Sequence, residues 1–305
     1  MGLPTFTMTF LSRTQVPNYI SMIMPSRWFA GGKGLDSFRE SMLSDKRISH
    51  IFDYVNAKDC FPTASIGGGV NYILWDVNYK GNCSITTIQG TQRDMEQRPL
   101  DQFSVFIRYN SAIHIVHKCQ SDNSFASIVN SRNPFGLSSN IRGEKTGEIR
   151  LITSAGISWL PKSAIDSTNH LLSKYKILMS KVTAEHAGEP DKKGQFKIIS
   201  RTEIIGPNDV CTDSYLIVGA SESKLVVENE YKYIQTRFLR FLLMLSVSSI
   251  NLSSEKFQFI PLQDFTSTSD INWSRSISEI DTQLYAKYGL SEDEISFIES
   301  MIKPM

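Results

Sequence analysis

Two apolar runs with a helix between them, then a third run entered through three glycines, fill residues 19–76 and leave the chain few folds to choose from. "YISMIMP" (19–25) is a short apolar run closed by proline and reads as a buried parallel strand. "GLDSFRESMLSD" places Leu35, Phe38 and Met42 at helical spacing, with Asp36 and Ser37 as capping candidates. "ISHIFDYV" (48–55) and "GGVNYILWD" (68–76) read as two more strands. A β-α-β-β order of this kind is half of an α/β sheet.

The glycines of "SIGGGV" raise a chemical question. A phosphate-cradling loop ends in Lys-Ser/Thr and leads into a helix, whereas this run leads into a strand. Its glycines are therefore expected to serve unusual backbone angles or a close approach. Trp75 and Asp76, at the carboxyl end of the strand, fall where open α/β sheets place ligands. Two readings of Trp75 stay open, a platform that stacks on a base and a core aromatic.

After "NYKGN" the pattern changes to that of a mixed α+β domain. Strand-like runs ("CSITTIQG", "SVFIRY", "AIHIVHKC", "EIRLITS", "FKIISRTEII") mix with helical segments. In "EYKYIQTRFLRFLLMLS", Tyr231, Ile234, Phe238, Phe241, Leu242 and Leu245 share one helical face. The closing segment has Ser291 as N-cap and Glu294 three residues on, a capping box. The expected division is 1–80 and 81–305.

At 305 residues and 41% hydrophobic the chain can bury a real core. Its longest apolar run, "FLRFLLMLSVSSI", is too short to span a membrane. The first residues lack the pattern of a secretory signal. Four cysteines stand far apart with no CxxC pair, as buried thiols in a reducing cytoplasm would. His114 and His117 on a strand face opposite ways, which argues against a metal site with Cys119. A nuclease reading through Asp191, Glu222 and Lys224 fails because "EPDKKG" reads as a solvated loop. Net charge is only +1, but residues 130–201 hold twelve Lys and Arg against six Asp and Glu, while residues 250–305 hold four against nine. A basic middle beside an acidic tail fits a surface that meets a polyanion, and equally two solvated faces.

The stretch from Tyr19 to Asp76, "YISMIMPSRWFAGGKGLDSFRESMLSDKRISHIFDYVNAKDCFPTASIGGGVNYILWD", closely resembles adenine-specific DNA methyltransferases of type II restriction-modification systems, of the kind often fused to an endonuclease. The resemblance continues through "YKILMSKVTAEHAGEP", "CTDSYLIVG", "TRFLRFLLML", "FIPLQDFT" and "YAKYGLSEDEISFIESMIKPM". It implies the C-terminal half of a Rossmann-like methyltransferase sheet (1–80), followed by an α+β target recognition domain (81–305). The family holds S-adenosylmethionine with an early glycine-containing strand-turn motif and the target adenine with Asn-Pro-Pro-Tyr, and neither motif occurs here. The implied reading is the DNA-recognition portion of an adenine-N6 methyltransferase. S-adenosylmethionine would then serve the full enzyme, with none bound to this chain alone and no methyl transfer by it. The alternative is a DNA-binding or interaction module without methyltransferase activity.

In the family an aromatic at this strand's end stacks on the flipped adenine, and Trp75 is the matching position. Duplex DNA is the implied partner. Its base readers are sought in the loop "NSRNPFGLSSNIRGEKTG", with Arg132, Asn133, Asn140, Arg142 and Lys145, and its phosphate contacts among Lys181, Lys192, Lys193 and Arg201. A half sheet ending at Tyr19–Pro25 exposes an apolar edge. A catalytic N-terminal half or subunit, a second copy, or the residues before Thr14 would be expected to cover it.

Overall fold

The computed structural model describes residues 17–31, 34–63, 66–130, 133–185, 190–191, 193–247 and 251–305. The chain divides into two compact units. One is Met1–His114 with Ala187–Glu189 and Leu245–Ser249; the other is Ile115–His186, Pro190–Met244 and Ile250–Met305.

The first unit is built on a five-stranded sheet. Its elements are β1 (Tyr19–Pro25), α1 (Asp36–Ser44), β2 (Ile48–Tyr54), β3 (Val70–Asp76), β4 (Cys83–Gln89) and β5 (Gln92–Arg98), in the order β1-β3-β2-β4-β5. The strand entered through the glycines, β3, is inserted antiparallel between β1 and β2, with Ile73 opposite both Met22 and Ile51. Strands β1 and β2 therefore run the same way without touching. β4 joins β2 in parallel and β5 closes the far side by a hairpin, so the sheet continues past residue 80.

β1 departs from the expected buried parallel strand. It is a half-exposed edge strand with an antiparallel neighbour; Met22 and Met24 turn towards the core while Tyr19 and Ile23 stand 65% and 38% exposed. Among the described residues it pairs on one side only. Trp28, Phe29, Met42, Leu43, Ile51, Ile73, Trp75, Ile85 and Phe106 make the core on the face that α1 covers. The start of α1 is not capped as expected: Leu35 is the N-cap, and Asp36 instead takes a hydrogen bond from Arg39 at 2.6 Å.

"AIHIVHKC" is helical, within α2 (Asn110–Cys119), and "SVFIRY" forms neither strand nor helix. His114 and His117 thus lie one turn apart and share a helix face, which removes the argument made from a strand. Among the described residues no three His, Cys, Asp or Glu side chains are placed to hold a metal ion, and no helix is long and apolar enough to cross a membrane. Cys83, Cys119 and Cys211 are buried, and burial pushes each thiol up to about 12. Cys60, by contrast, is half-buried.

In the second unit β6 (Ile149–Thr153), β7 (Gly156–Leu160) and β10 (Asp209–Cys211) form one small sheet in the order β10-β6-β7. β8 (Tyr175–Ser180), β9 (Thr202–Ile205) and β11 (Tyr215–Ser221) form another, ordered β11-β8-β9. The anticipated long helix is two, α3 (Lys224–Gln235) and α4 (Arg237–Leu245), broken at Thr236. The Asp281 carboxylate of α5 (Ile277–Lys287) accepts the Arg237 and Phe238 amides at 3.0 and 2.9 Å, and the Thr236 hydroxyl accepts the Leu239 amide at 3.1 Å, so together they start a new helix. α6 (Glu292–Met301) opens on the expected Ser291–Glu294 capping box.

Glu230, on α3, is 6% exposed and lies against Gly219, whose left-handed backbone (φ +95°) leaves room for the carboxyl oxygen that a Cβ would meet at 2.4 Å. Burial raises its pKa to about 7. The folded chain therefore holds a proton on Glu230 between about pH 4.5 and 7 that the unfolded chain has lost, and stability falls as pH rises through that window. Glu230→Gln should flatten this slope. Urea unfolding at pH 5 and pH 8 should show the variant gaining roughly 1–3 kcal/mol on wild type between the two.

Candidate functional site: the glycine turn and the basic loops

Because β3 is reversed, its amino end, not its carboxyl end, lies beside the carboxyl ends of β1 and β2, where α/β sheets place ligands. Trp75 is therefore at the opposite edge, across from Ile20 and Ile48 near the starts of those strands. It is 2% exposed. Its Nε1 donates to Asp45 at 3.0 Å, and the Arg47 guanidinium covers the ring 4.6 Å from its centroid. Of the two readings of Trp75, the geometry gives the core aromatic; a ring closed in this way offers no face to a base.

At the ligand side of the sheet stands a cluster that sequence reasoning did not single out. The Asp53 carboxylate, fully buried at the end of β2, is gripped by Arg108, whose Nε reaches Oδ2 at 2.8 Å and whose Nη2 reaches Oδ1 at 2.9 Å. Ser26 donates to the same Oδ1 at 2.9 Å, and Asn71 donates to Ser26 at 3.1 Å and to the Met24 carbonyl at 3.2 Å. The second donor on Arg108 Nη2 goes to the Gly68 carbonyl at 3.0 Å. Burial alone would make Arg108 easier to deprotonate, but the neighbouring carboxylate outweighs it and the pKa is raised. The pair is thus a fixed, charge-assisted fork.

The glycines are explained by this cluster. Gly68 and Gly69 both have φ +84°, and a Cβ on Gly69 would meet the Tyr54 and Val55 carbonyls at 2.3 and 2.7 Å and Arg108 at 3.0 Å. Three glycines before a strand were the only signal in the sequence. Their partner, Arg108, lies 39 residues downstream of Gly69 in "SVFIRY", a run that reads as a strand and gives no hint of this pairing.

The basic candidates fall into separate groups. Arg132 and Lys192 lie outside the described residues. Asn133 has a left-handed backbone (φ +60°) and its Oδ1 is buried without a partner among the described residues, while Asn140, Arg142 and Lys145 are exposed. Arg142 donates to the carbonyls of Ser139 and Ile141 in its own loop, at 3.3 and 3.1 Å. The Glu144 and Trp159 backbones exchange hydrogen bonds of 2.8 and 3.0 Å, which lays "GEKTG" along β7. Gly143 and Gly147 permit this, since a Cβ on either would meet the β7 backbone at 2.7 Å.

Lys181 and Arg201 come together where β8 ends and β9 begins, through the Ser180 amide and the Arg201 carbonyl at 2.8 Å. Both are engaged. Lys181 donates to the Asp213 carbonyl at 2.6 Å, and Arg201 reaches the Tyr215 hydroxyl and Glu203, each at 2.9 Å. Lys193 is exposed on a turn closed by its own amide on Asp191 at 2.8 Å. Asp191, raised earlier as a nuclease ligand, is paired with Lys303 at 2.8 Å, and Lys224 with Glu228 at 3.3 Å.

Residues 6–61 match the model of the Eco57I restriction-modification methylase family. An uncharacterized adenine-specific methylase of Mycoplasma pneumoniae is 35% identical over 72 residues, which are 23% of this chain and 17% of that protein. Among solved structures, the type IIG restriction endonuclease BpuSI aligns over 92% of this chain and 46% of its own at 11% identity, with a TM-score of 0.38. The type IIL restriction-modification enzyme MmeI, solved in complex with DNA, aligns over 92% and 49% at 9% identity, with a TM-score of 0.46. This chain spans less than half the length of either enzyme and a smaller part of the curated relative. The resemblance to adenine-specific methylases of restriction-modification systems is borne out, and the family match covers β1, α1 and β2.

A buried ion pair at the ligand side of a sheet is costly to break. Arg108→Ala would leave Asp53 charged and unpaired, and thermal or urea unfolding should show a loss of roughly 3–5 kcal/mol. The Asp53→Ala, Arg108→Ala double variant should lose less than the sum of the two single variants.

Proposed function

We propose that this chain is the DNA-recognition portion of an adenine-N6 DNA methyltransferase of a restriction-modification system. The single observation that carries the reading is the family match over residues 6–61, joined by 35% identity to an adenine-specific methylase. In this reading the five-stranded unit is the C-terminal part of the methyltransferase domain, and the unit holding both three-stranded sheets is the target recognition domain. Duplex DNA is the partner, with Arg142 among the base readers and Lys193 among the phosphate contacts. The outer edge of β1, with Tyr19 and Ile23, is where a catalytic polypeptide or a second copy pairs.

S-adenosylmethionine would be the methyl donor of the full enzyme. The groups present here do not fit it: the Asp53 carboxylate is fully buried and bound to Arg108 and Ser26, so it is not presented to a ribose or an amino group. In this reading these residues take no part in methyl transfer. The work assigned to this chain is binding. An arginine fork reads guanine by two parallel hydrogen bonds, while lysines gain affinity by displacing counterions from phosphates.

Gel shifts on a randomised duplex pool at two salt concentrations test the reading. Arg142→Ala should lose roughly 1–3 kcal/mol at one position of the site and relax the choice there. Lys193→Ala should weaken all sequences alike and flatten the salt dependence by about one unit of slope. A wild-type chain that binds with salt sensitivity but selects no sequence would sink the recognition reading. Transfer of labelled methyl groups to duplex DNA by the purified chain would overturn the assignment of catalysis elsewhere.

A further inference from the structure

Ile198 is β-branched yet has φ +66°, a backbone region such residues almost never occupy. The Ile199 amide closes on the Lys197 carbonyl at 2.9 Å, so Ile198 is the centre of a three-residue turn of the rare, strained hand. Strain of this kind persists only where the surroundings enforce it, and it concentrates at binding sites. What this turn creates is a pair of consecutive amides aimed at one point. Both find the Glu185 carboxylate: Lys197 N–H donates to Oε1, and Ile198 N–H to Oε1 and Oε2 at 3.1 and 2.9 Å.

Successive N–H groups converging on an oxyanion form an anion-binding nest, the arrangement that holds phosphate oxygens in many proteins. The positive field here is reinforced. Arg240, fully buried, places Nη1 3.4 Å from the Lys197 carbonyl, and Lys193 and Lys197 stand exposed on the same segment. Lys303, whose amide donates to the Phe196 carbonyl at 3.0 Å, is paired through its ammonium with Asp191 at 2.8 Å and adds no free cation. A carboxylate supplied by the chain itself already fills the nest.

We infer that the Lys197–Ile198 nest is a phosphate site held closed by Glu185, and that a phosphate oxyanion of bound duplex DNA takes the carboxylate's place. The inference rests on the DNA reading for the identity of the phosphate, but not for the existence of the nest. Glu185 keeps the site from collecting free anions until a polyanion arrives with enough neighbouring contacts to displace it. The exchange breaks no covalent bond; the freed carboxylate moves out to water.

The test follows the Lys197 and Ile198 amide resonances of the full chain, labelled with nitrogen-15. Inorganic phosphate and a duplex are added separately to wild type, Glu185→Gln and Glu185→Ala. Phosphate should shift both amides in the variants at a concentration about tenfold or more below that needed in wild type, as expected when a tethered competitor of millimolar effective concentration is removed. The duplex should shift the same two amides in wild type. Glu185→Gln keeps the size of the side chain, so a folded sample remains should Glu185→Ala unfold. If phosphate leaves both amides unmoved in folded Glu185→Gln, the nest is not an anion site. If the duplex binds wild type without moving them, the exchange is wrong. Should wild type bind no duplex at all, the DNA reading fails, while the phosphate titration still decides the nest.

Discussion

Fully buried at the end of β2, the Asp53 carboxylate has exchanged water for fixed protein partners, and the loop entering β3 is arranged around that need. Arg108 supplies the charge, but its guanidinium has donors to spare, and one must go to the Gly68 carbonyl. That bond brings the backbone of residues 68–69 into the space a side chain would occupy, so only glycine fits at 69. Ser26 and Asn71 then connect the end of β1 to the same carboxylate. The ends of three strands are thus fixed by one buried charge. The Asn71 Oδ1 is left without a partner among the described residues, a cost of roughly 1–3 kcal/mol that the remaining network must offset.

Features determined by nearby residues were legible. The Ser291–Glu294 capping box needs only a spacing of three, and it formed as read. β2 and β3 had lengths and β-branched content that fit strands, and both are strands. "AIHIVHKC" failed because two periods coexist in it. Its alternating isoleucine and histidine suggest a strand, yet Ala112, Ile113, Val116 and Cys119 also fall at helical spacing, and these are buried together with Ile115. Burial decided, and a single stretch of sequence does not reveal it.

The direction of β3 was beyond local reading altogether. Nothing within Val70–Asp76 tells whether its neighbours run with it or against it. That choice moved Trp75 from the ligand side to the opposite edge and exchanged a stacking surface for a core ring under Arg47. Likewise the single helix expected from Glu230 to Ser246 is divided at Thr236, whose own hydroxyl caps the second helix together with Asp281, a residue more than 40 positions from the break. In each case a carboxylate or a strand from elsewhere overrode a sound local pattern.

The charge excess of residues 130–201 is also less uniform than its count suggests. Arg201 shares its charge with Glu203 and stacks near Tyr215, Arg150 faces Asp209 at 3.0 Å, and Lys176 is wholly enclosed by three carbonyls. A cation that already has a carboxylate displaces few counterions when it meets a phosphate, so such residues add little to affinity. Arg142 differs, since its guanidinium donates only to neutral carbonyls of its own loop among the described residues. Those bonds are exposed, and water can replace them at little cost. The loop is in turn held to β7 through Gly143 and Gly147, so Arg142 extends from a fixed base rather than from a free coil. In the proposed DNA reading, a guanidinium with no carboxylate partner among the described residues, carried on a tethered backbone, suits base contact better than the ion-paired Arg150 and Arg201.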